Sequence, residues 1–232
     1  MMRLEDILFS QGFGTRYDCR AMTQAGTVAV NGVRCTDPDE RFETSGLVVR
    51  WRDVDWPYYE KAIVALNKPA GYECSMKPSH HPSVMTLLPG PLRRRGLQPV
   101  GRLDVDTTGL LLFTDDGALQ HRLIHPKRHV AKVYEVTTRH PVDEGVCERL
   151  MAGVVLDDSP VPVKAAQCRV IDARHLRLTL TQGKYHQVKR MVAAVSNRVE
   201  ALHRSAFGAC VLPDDLALGE WMWLPGKEAV LG

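Results

Sequence analysis

The 232-residue sequence predicts an α+β protein of two domains, residues 1–57 and 60–232, the larger one built on a mostly antiparallel sheet. Three observations lead there. Beyond residue 60, strand-like runs outnumber helical ones and do not alternate with them in βαβ order. The start of the chain reads as helix, helix and hairpin, a complete small unit on its own. Charge also divides near the same point: residues 1–56 hold seven Lys/Arg against nine Asp/Glu, leaving 23 against 18 in the remainder. Any dominant field for an anionic partner therefore belongs to the larger domain.

In the first domain, Leu4, Ile7 and Leu8 recur at helical spacing before Gly12. Thr15 and Asp18 then form a capping-box pattern for a second helix that stops at Gly26. Thr27-Val28-Ala29-Val30 alternates as a strand into Asn31-Gly32, the pair favoured in a tight hairpin turn. The aromatic stretch around Trp51, Trp56, Tyr58 and Tyr59 closes this domain and leads into a linker.

A new apolar strand, Ala62 to Asn67, opens the second domain and ends in the turn signal Lys68-Pro69-Ala70-Gly71. Further strands are predicted over 109–114, 133–138, 161–171 and 176–181, and helices over 119–125, 142–151 and 185–195.

Composition narrows the function classes. With 44% hydrophobic and 25% charged residues the chain is an ordinary globular protein. No apolar run approaches the roughly 20 residues of a membrane span, and Met1 to Asp6 is unlike a signal peptide. A cytoplasmic protein with no membrane association is expected. The six cysteines form no CxxC pair and read as reduced packing residues. His121, His125 and His129 have a metal-like spacing of four, but Pro126 interrupts the helix and no cysteine or carboxylate completes a ligand set.

Three segments carry candidate chemistry. Gly101-Arg102-Leu103-Asp104-Val105-Asp106-Thr107-Thr108-Gly109 sets charges on a polar loop that feeds the very apolar Leu110-Leu111-Leu112-Phe113. Asp104 and Asp106 are either functional or turn formers, since carboxylates and threonines cap turns readily. In the second segment, Val188, Met191, Val192 and Val195 make a buried helical stripe that leaves Lys189 off it, near Tyr185 and His186. A solvated basic face would look the same. In the third, Tyr134 points opposite to Val133 on a strand, an arrangement common to core aromatics and ligand contacts.

The first domain resembles the S4 RNA-binding module through Arg3-Leu4-Glu5, Thr15-Arg16 and Gly26-Thr27-Val28-Ala29-Val30-Asn31-Gly32. It departs in charge, with Asp6 where such modules often carry lysine, so its phosphate contacts are expected to be confined to Arg3, Arg16, Arg20 and Arg34. In the larger domain, GRLDVDTTGLLLFTDDG at 101–117 resembles the signature of the RsuA/RluA-type pseudouridine synthases. NKPAG at 67–71, KVYEV at 132–136 and GKYHQVKRM at 183–191 follow that family's order, the last as in its RsuA-like branch.

The resemblance implies that Asp104 is the catalytic carboxylate, Lys189 its cationic partner and Tyr134 the ring beneath the target base, with no metal or organic cofactor. It implies substrate contacts at Gly101, Arg102, Leu103 and Leu202, with Arg102 filling the space left by an extruded uridine. RNA contacts are expected at Lys68, His186 and Arg190, at the basic loop Arg93-Arg94-Arg95, and at Arg122, Lys127 and Arg128. The implied partner is ribosomal RNA, foremost 16S rRNA or a small-subunit assembly intermediate, acted on by a monomer. A 23S rRNA enzyme of the same family, a non-catalytic RNA-binding assembly factor and a nucleoside hydrolase remain the alternatives.

Overall fold

The computed structural model describes residues 1–232, Ser159 by its backbone alone, and the chain forms two compact units. The first comprises Met1–Ala62 together with Leu88–Leu97; the second comprises Ile63–Leu87 and Gln98–Gly232. A single boundary near residue 58 therefore omits a segment that returns to the first unit.

In that unit α1 (Leu4–Ser10) buries Leu4, Ile7 and Leu8, and α2 (Arg16–Gln24) follows after a short turn. The predicted capping box is present: Thr15 accepts from the Asp18 amide while the Asp18 carboxylate accepts from the Thr15 amide. Strands β1 (Val28–Val30) and β2 (Val33–Cys35) form the hairpin across Asn31 and Gly32, whose φ angles of 48° and 82° fit the turn that Asn-Gly favours. Strands β3 (Val48–Trp51) and β4 (Val54–Pro57) complete an antiparallel sheet in the order β2-β1-β3-β4.

Helix α3 (Gly90–Arg94) is the returning segment. Arg94 donates to the carbonyls of Gly12 and Phe13, and Arg95 to Gln11 Oε1 and the Tyr59 carbonyl. Gly12, at φ 81°, permits the approach, since a Cβ there would lie 2.2 Å from the Pro91 carbonyl oxygen. The expectation that Arg94 and Arg95 are free phosphate contacts is corrected accordingly; Arg93 alone of the three stands exposed without such a bond among the described residues.

The second unit is organised by a nine-stranded sheet. Its main path uses β5 (Ile63–Lys68), β6 (Thr108–Thr114), β7 (Lys132–Thr138), β8 (Gln167–Asp172), β9 (His175–Leu180), β10 (Val199–Phe207) and β11 (Trp221–Trp223). Their order is β8-β9-β7-β10-β6-β5-β11, and every pairing on the path is antiparallel except β10 with β6. Strands β5 and β6 are buried along almost their whole length, which explains their unbroken apolar runs. Ile63, Ala65, Leu110 and Leu112 pack on one face with Leu119 and Leu123 of α4 (Gly117–Ile124). Asp116 caps that helix by accepting from the Ala118 and Leu119 amides, so the second aspartate of the TDDG run is structural.

The run over 161–171 divides in two. Ser159–Val163 pairs with Val154–Leu156 in a separate hairpin, whereas Gln167–Asp172 joins the main sheet. Pro160 and Pro162 lack amide donors and suit the first part to an edge rather than to a long central strand. Helix α5 (Glu144–Ala152) lies close to its predicted range, while α6 (Gln187–Ala194) begins two residues late because His186 adopts a left-handed φ of 46°. No helix among the described residues is long and apolar enough to cross a membrane.

Candidate active site

The one parallel contact of the main sheet places the polar loop. Thr108 and Gly109 at the start of β6 lie beside His203 and Arg204 of β10, and Arg204 lies beside Tyr134 of β7. Gly109 has φ 104°, and a Cβ there would come within 2.3 Å of the Arg204 carbonyl oxygen. Only glycine fits at that crossing. The loop 101–107 therefore leaves the sheet next to Tyr134 and the strand that carries Leu202.

Lys68 fixes the loop from below. It is 0% exposed, and its ammonium donates to the carbonyls of Pro69, Asp104, Val105 and Thr107 at 3.0, 3.1, 3.3 and 2.8 Å. Burial pushes this amine below the ordinary lysine range. Two further bonds hold the loop, from the Gly71 amide to the Val105 carbonyl and from the Leu103 amide to Cys74 Sγ. The expectation of an RNA contact at Lys68 is overturned: a side chain closed off from solvent and surrounded by carbonyls is a clamp.

Above the clamp the Asp104 carboxylate meets Lys189 Nζ at 3.2 Å and His186 Nε2 at 3.4 Å. Lys189 is nearer still to Asp106, at 2.7 and 2.9 Å from its two oxygens. One ammonium thus bridges two carboxylates two residues apart. Burial alone would raise Asp106 and lower Lys189, but their mutual bond and attraction outweigh it, leaving Asp106 below and Lys189 above the usual value. His186, in a turn at a left-handed φ of 46°, faces Asp104 with its ring stacked on that of Tyr185 at 3.8 Å.

Asp104 and Lys189 line a pocket with Arg102, Leu103, Tyr134, Leu180, Val188 and Leu202. Tyr134 is 9% exposed and Leu202 8% exposed, which makes them walls rather than free surface. The pocket belongs to a wider cleft of about 790 Å³ that also reaches Gly101, Ile124, Lys132, Arg204 and Phe207. That volume falls in the range of roughly 300–1,000 Å³ usual for small-molecule sites, and it suits one nucleotide. A carboxylate beside an ammonium, over an aromatic and aliphatic floor, can hold a flat pyrimidine and act on its sugar or its ring.

Residues 62–194, more than half of the chain, match the family model described as RNA pseudouridylate synthase, and residues 2–49 match that of the S4 domain. The chain belongs to the RNA pseudouridylate synthase family. Among curated relatives, the ribosomal small subunit pseudouridine synthase A of Pasteurella multocida is 36% identical over 98% of this chain and 97% of its own length. The protein of the same name from Yersinia pestis is 47% identical over 70% of this chain and 69% of its own. A solved structure described as a pseudouridylate synthase superposes with a TM-score of 0.70 at 34% identity, covering 100% of both chains.

In this synthase the remaining candidate residues separate by what holds them. Arg122, Lys127 and Arg128 are exposed along α4 and the turn after it, with no ion pair among the described residues. Arg102 is exposed at the cleft rim, while Arg190 is tied to Asp158 and to the Tyr185 carbonyl. Arg3, Arg16 and Arg20 do not stand free for phosphate: Arg3 and Arg16 grip Asp6 at 2.9 and 2.6 Å, and Arg20 pairs with Glu5 and Asp39. Glu5, Asp6 and Asp39 of the S4 unit thus occupy these three arginines.

That cluster makes a pH prediction. The bonds from Arg3 and Arg16 hold Asp6 at about 2 against an ordinary 3.8. A carboxylate lowered on folding contributes stability in full above its unfolded value and loses it as pH falls through the folded one. Asp6→Asn is therefore expected to cost about 1 kcal/mol at pH 7, allowing for solvent screening. In urea unfolding followed from pH 7 to 2, the difference from wild type should shrink below pH 4 and be mostly lost near 2. A difference unchanged across that range would contradict it.

Sequence spacing alone does not reveal that Asp106 shares Lys189 with Asp104, or that Lys68 clamps the loop. The i,i+2 spacing of Asp104 and Asp106 on one loop was the signal available for the first. A lysine closing a wholly buried apolar strand was the signal for the second.

Proposed function

We propose that this synthase isomerises a single uridine of small-subunit ribosomal RNA to pseudouridine, working as a cytoplasmic monomer without a metal or organic cofactor. The observation that carries the reading is the Asp104 carboxylate, 3.2 Å from Lys189, above a pocket walled by Tyr134 and Leu202. In the reaction the N1–C1′ bond breaks, the uracil turns within the pocket, C5 joins C1′, the proton on C5 leaves to solvent and N1 takes up a proton in exchange.

The residues divide that work. Asp104 is the group that engages the substrate at the reacting centre, and Lys189 offsets its charge where water is partly excluded. Tyr134 supplies a stacking face of the kind that holds extruded bases, an interaction of about 1–3 kcal/mol. Uridine in folded RNA must leave its stack to reach such a pocket, at a cost of a few kcal/mol, and exposed Arg102 stands where it can fill the gap. The pocket is complete within one chain, so the reading requires no second copy. The small-subunit assignment rests on the names of full-length relatives, and the S4 unit adds an RNA-binding module.

The test is pseudouridine mapping of both ribosomal RNAs from cells lacking the protein, with tritium release from C5-labelled uridine by the purified enzyme. One modification lost from 16S rRNA and restored by the enzyme is expected. Loss confined to 23S rRNA would transfer the assignment to the large subunit, inactivity on every ribosomal RNA would leave only a binding role, and free uracil would indicate a hydrolase.

A further inference from the structure

The cleft that holds Asp104 contains, beside Tyr134 and toward Ile124, a pair of cations that the isomerisation itself does not use. Lys132 and Tyr134 are alternate residues of β7 and share a face of the sheet. Arg204, the register partner of Tyr134, lines the same cleft. Arg204 is 2% exposed; its Nε donates to the Leu110 carbonyl at 2.8 Å, while its Nη2 is buried with no hydrogen-bond partner. Lys132 donates to the Val130 carbonyl at 2.8 Å. Both cations lie against the Phe207 ring, at 5.2 Å for Lys132 and 5.1 Å for Arg204.

No carboxylate pairs with either side chain among the described residues. The nearest acidic neighbour on β7, Glu135, points to the other face and is engaged by Arg177 and Ser205. Asp104 and Asp106, which share the cleft, are engaged by Lys189 and His186. Two positive charges in a half-closed, partly apolar space are expensive unless an anion joins them. Burial first, and then the charge of Arg204, pushes Lys132 down to about 8, which is the mark of a cation without a counterion. A neutral uracil cannot supply the missing charge. The one anionic group that every extruded uridine brings with it is a backbone phosphodiester.

We propose that Lys132, backed by Arg204, is the binding site for the phosphodiester adjoining the target uridine, seating the RNA backbone while Tyr134 and Asp104 engage the base and sugar. Lys132 makes the contact and Arg204 supplies fixed charge behind it. The site rests on the pseudouridine synthase reading given above and adds to it a backbone contact deep in the cleft, distinct from exposed Arg122 of α4 and from Lys127 and Arg128 after it.

The test compares wild type, Lys132→Gln and Lys132→Arg on substrate RNA with ordinary linkages and on two RNAs bearing one uncharged methylphosphonate, 5′ or 3′ of the target uridine. Lys132→Gln is expected to raise KM roughly tenfold and to lower the salt dependence of binding by about one phosphate contact. Lys132→Arg should restore most of the loss. One methylphosphonate should raise the wild-type KM by a similar factor, and the Gln variant should lose nothing further on that RNA. The site is overturned if Lys132→Gln leaves KM and salt dependence unchanged, or if its loss multiplies with that of both methylphosphonates. Should Lys132→Gln fail to fold, the two methylphosphonate RNAs decide with wild-type enzyme: no loss at either position overturns the site. The functional reading fails separately, if wild type makes no pseudouridine while a binding assay still shows the Lys132 and methylphosphonate losses.

Discussion

Asp104→Asn is expected to lower pseudouridine formation by at least about 10³-fold while leaving RNA affinity within a few-fold of wild type. The asparagine amide has the shape of the carboxylate but can neither attack the sugar nor take a proton from it. What makes the variant informative is the second carboxylate. Lys189 lies 2.7 Å from Asp106 as well as 3.2 Å from Asp104, so removing the Asp104 charge does not strand a partly buried ammonium. The backbone carbonyl of Asp104 also keeps its bond from Lys68. Stability should therefore change by less than about 1 kcal/mol, and lost activity can be assigned to chemistry. Tritium release from C5-labelled uridine, with thermal unfolding of the same preparation, measures both. A variant that folds normally and retains more than about a hundredth of the wild-type rate would remove Asp104 from the catalytic role.

The contrast between Asp104 and its neighbours also shows how far the chain's order of residues reveals its architecture. Local rules with a single physical cause carried through. Thr15 and Asp18 satisfy free amides at a helix start, Asn31-Gly32 turns a hairpin, and the apolar run from Leu110 becomes a strand buried on both faces. What did not carry through depends on partners distant in sequence. Arg94 and Arg95 look like a basic loop until Gly12, Phe13, Gln11 and Tyr59 supply their acceptors. Arg3, Arg16 and Arg20 look like phosphate ligands until Glu5, Asp6 and Asp39 are placed beside them.

The site follows the same division. Asp104, Lys189, Tyr134 and Leu202 could be named from family motifs, and the structure brings the four into one pocket. The sharing of Lys189 between two carboxylates could not be read from spacing, because it depends on how a loop and a helix from separate segments meet. Nor could the burial of Arg204, since an arginine in a strand normally signals a solvent-facing residue.

Lys68→Met is expected to destabilise the protein by about 3–5 kcal/mol and, where it still folds, to cut activity on the order of 10²-fold. The three N–H groups of the native ammonium are shared among four carbonyls, those of Pro69, Asp104, Val105 and Thr107, in a space closed to water. Methionine fills nearly the same length and relieves the cost of burying a charge, but it removes the donors of the Pro69 and Thr107 oxygens and leaves Asp104 and Val105 only the Thr107 and Gly71 amides. An unsatisfied buried carbonyl costs about 1–3 kcal/mol, so the losses exceed the relief. Three of the four belong to the loop carrying Asp104, so it should relax first and carry the carboxylate away from Lys189 and His186. Urea unfolding should show a lower midpoint, and kcat should fall more than KM rises, because the exposed cations Arg122, Lys127 and Arg128 are untouched. Lys68→Arg should not rescue the loss, since a planar guanidinium cannot converge its donors on carbonyls gathered around the three N–H bonds of one compact ammonium. If Lys68→Met were instead within 1 kcal/mol of wild type and equally active, the loop would have to be held by the Gly71 and Leu103 amides alone. The clamp would then be dispensable to the position of Asp104.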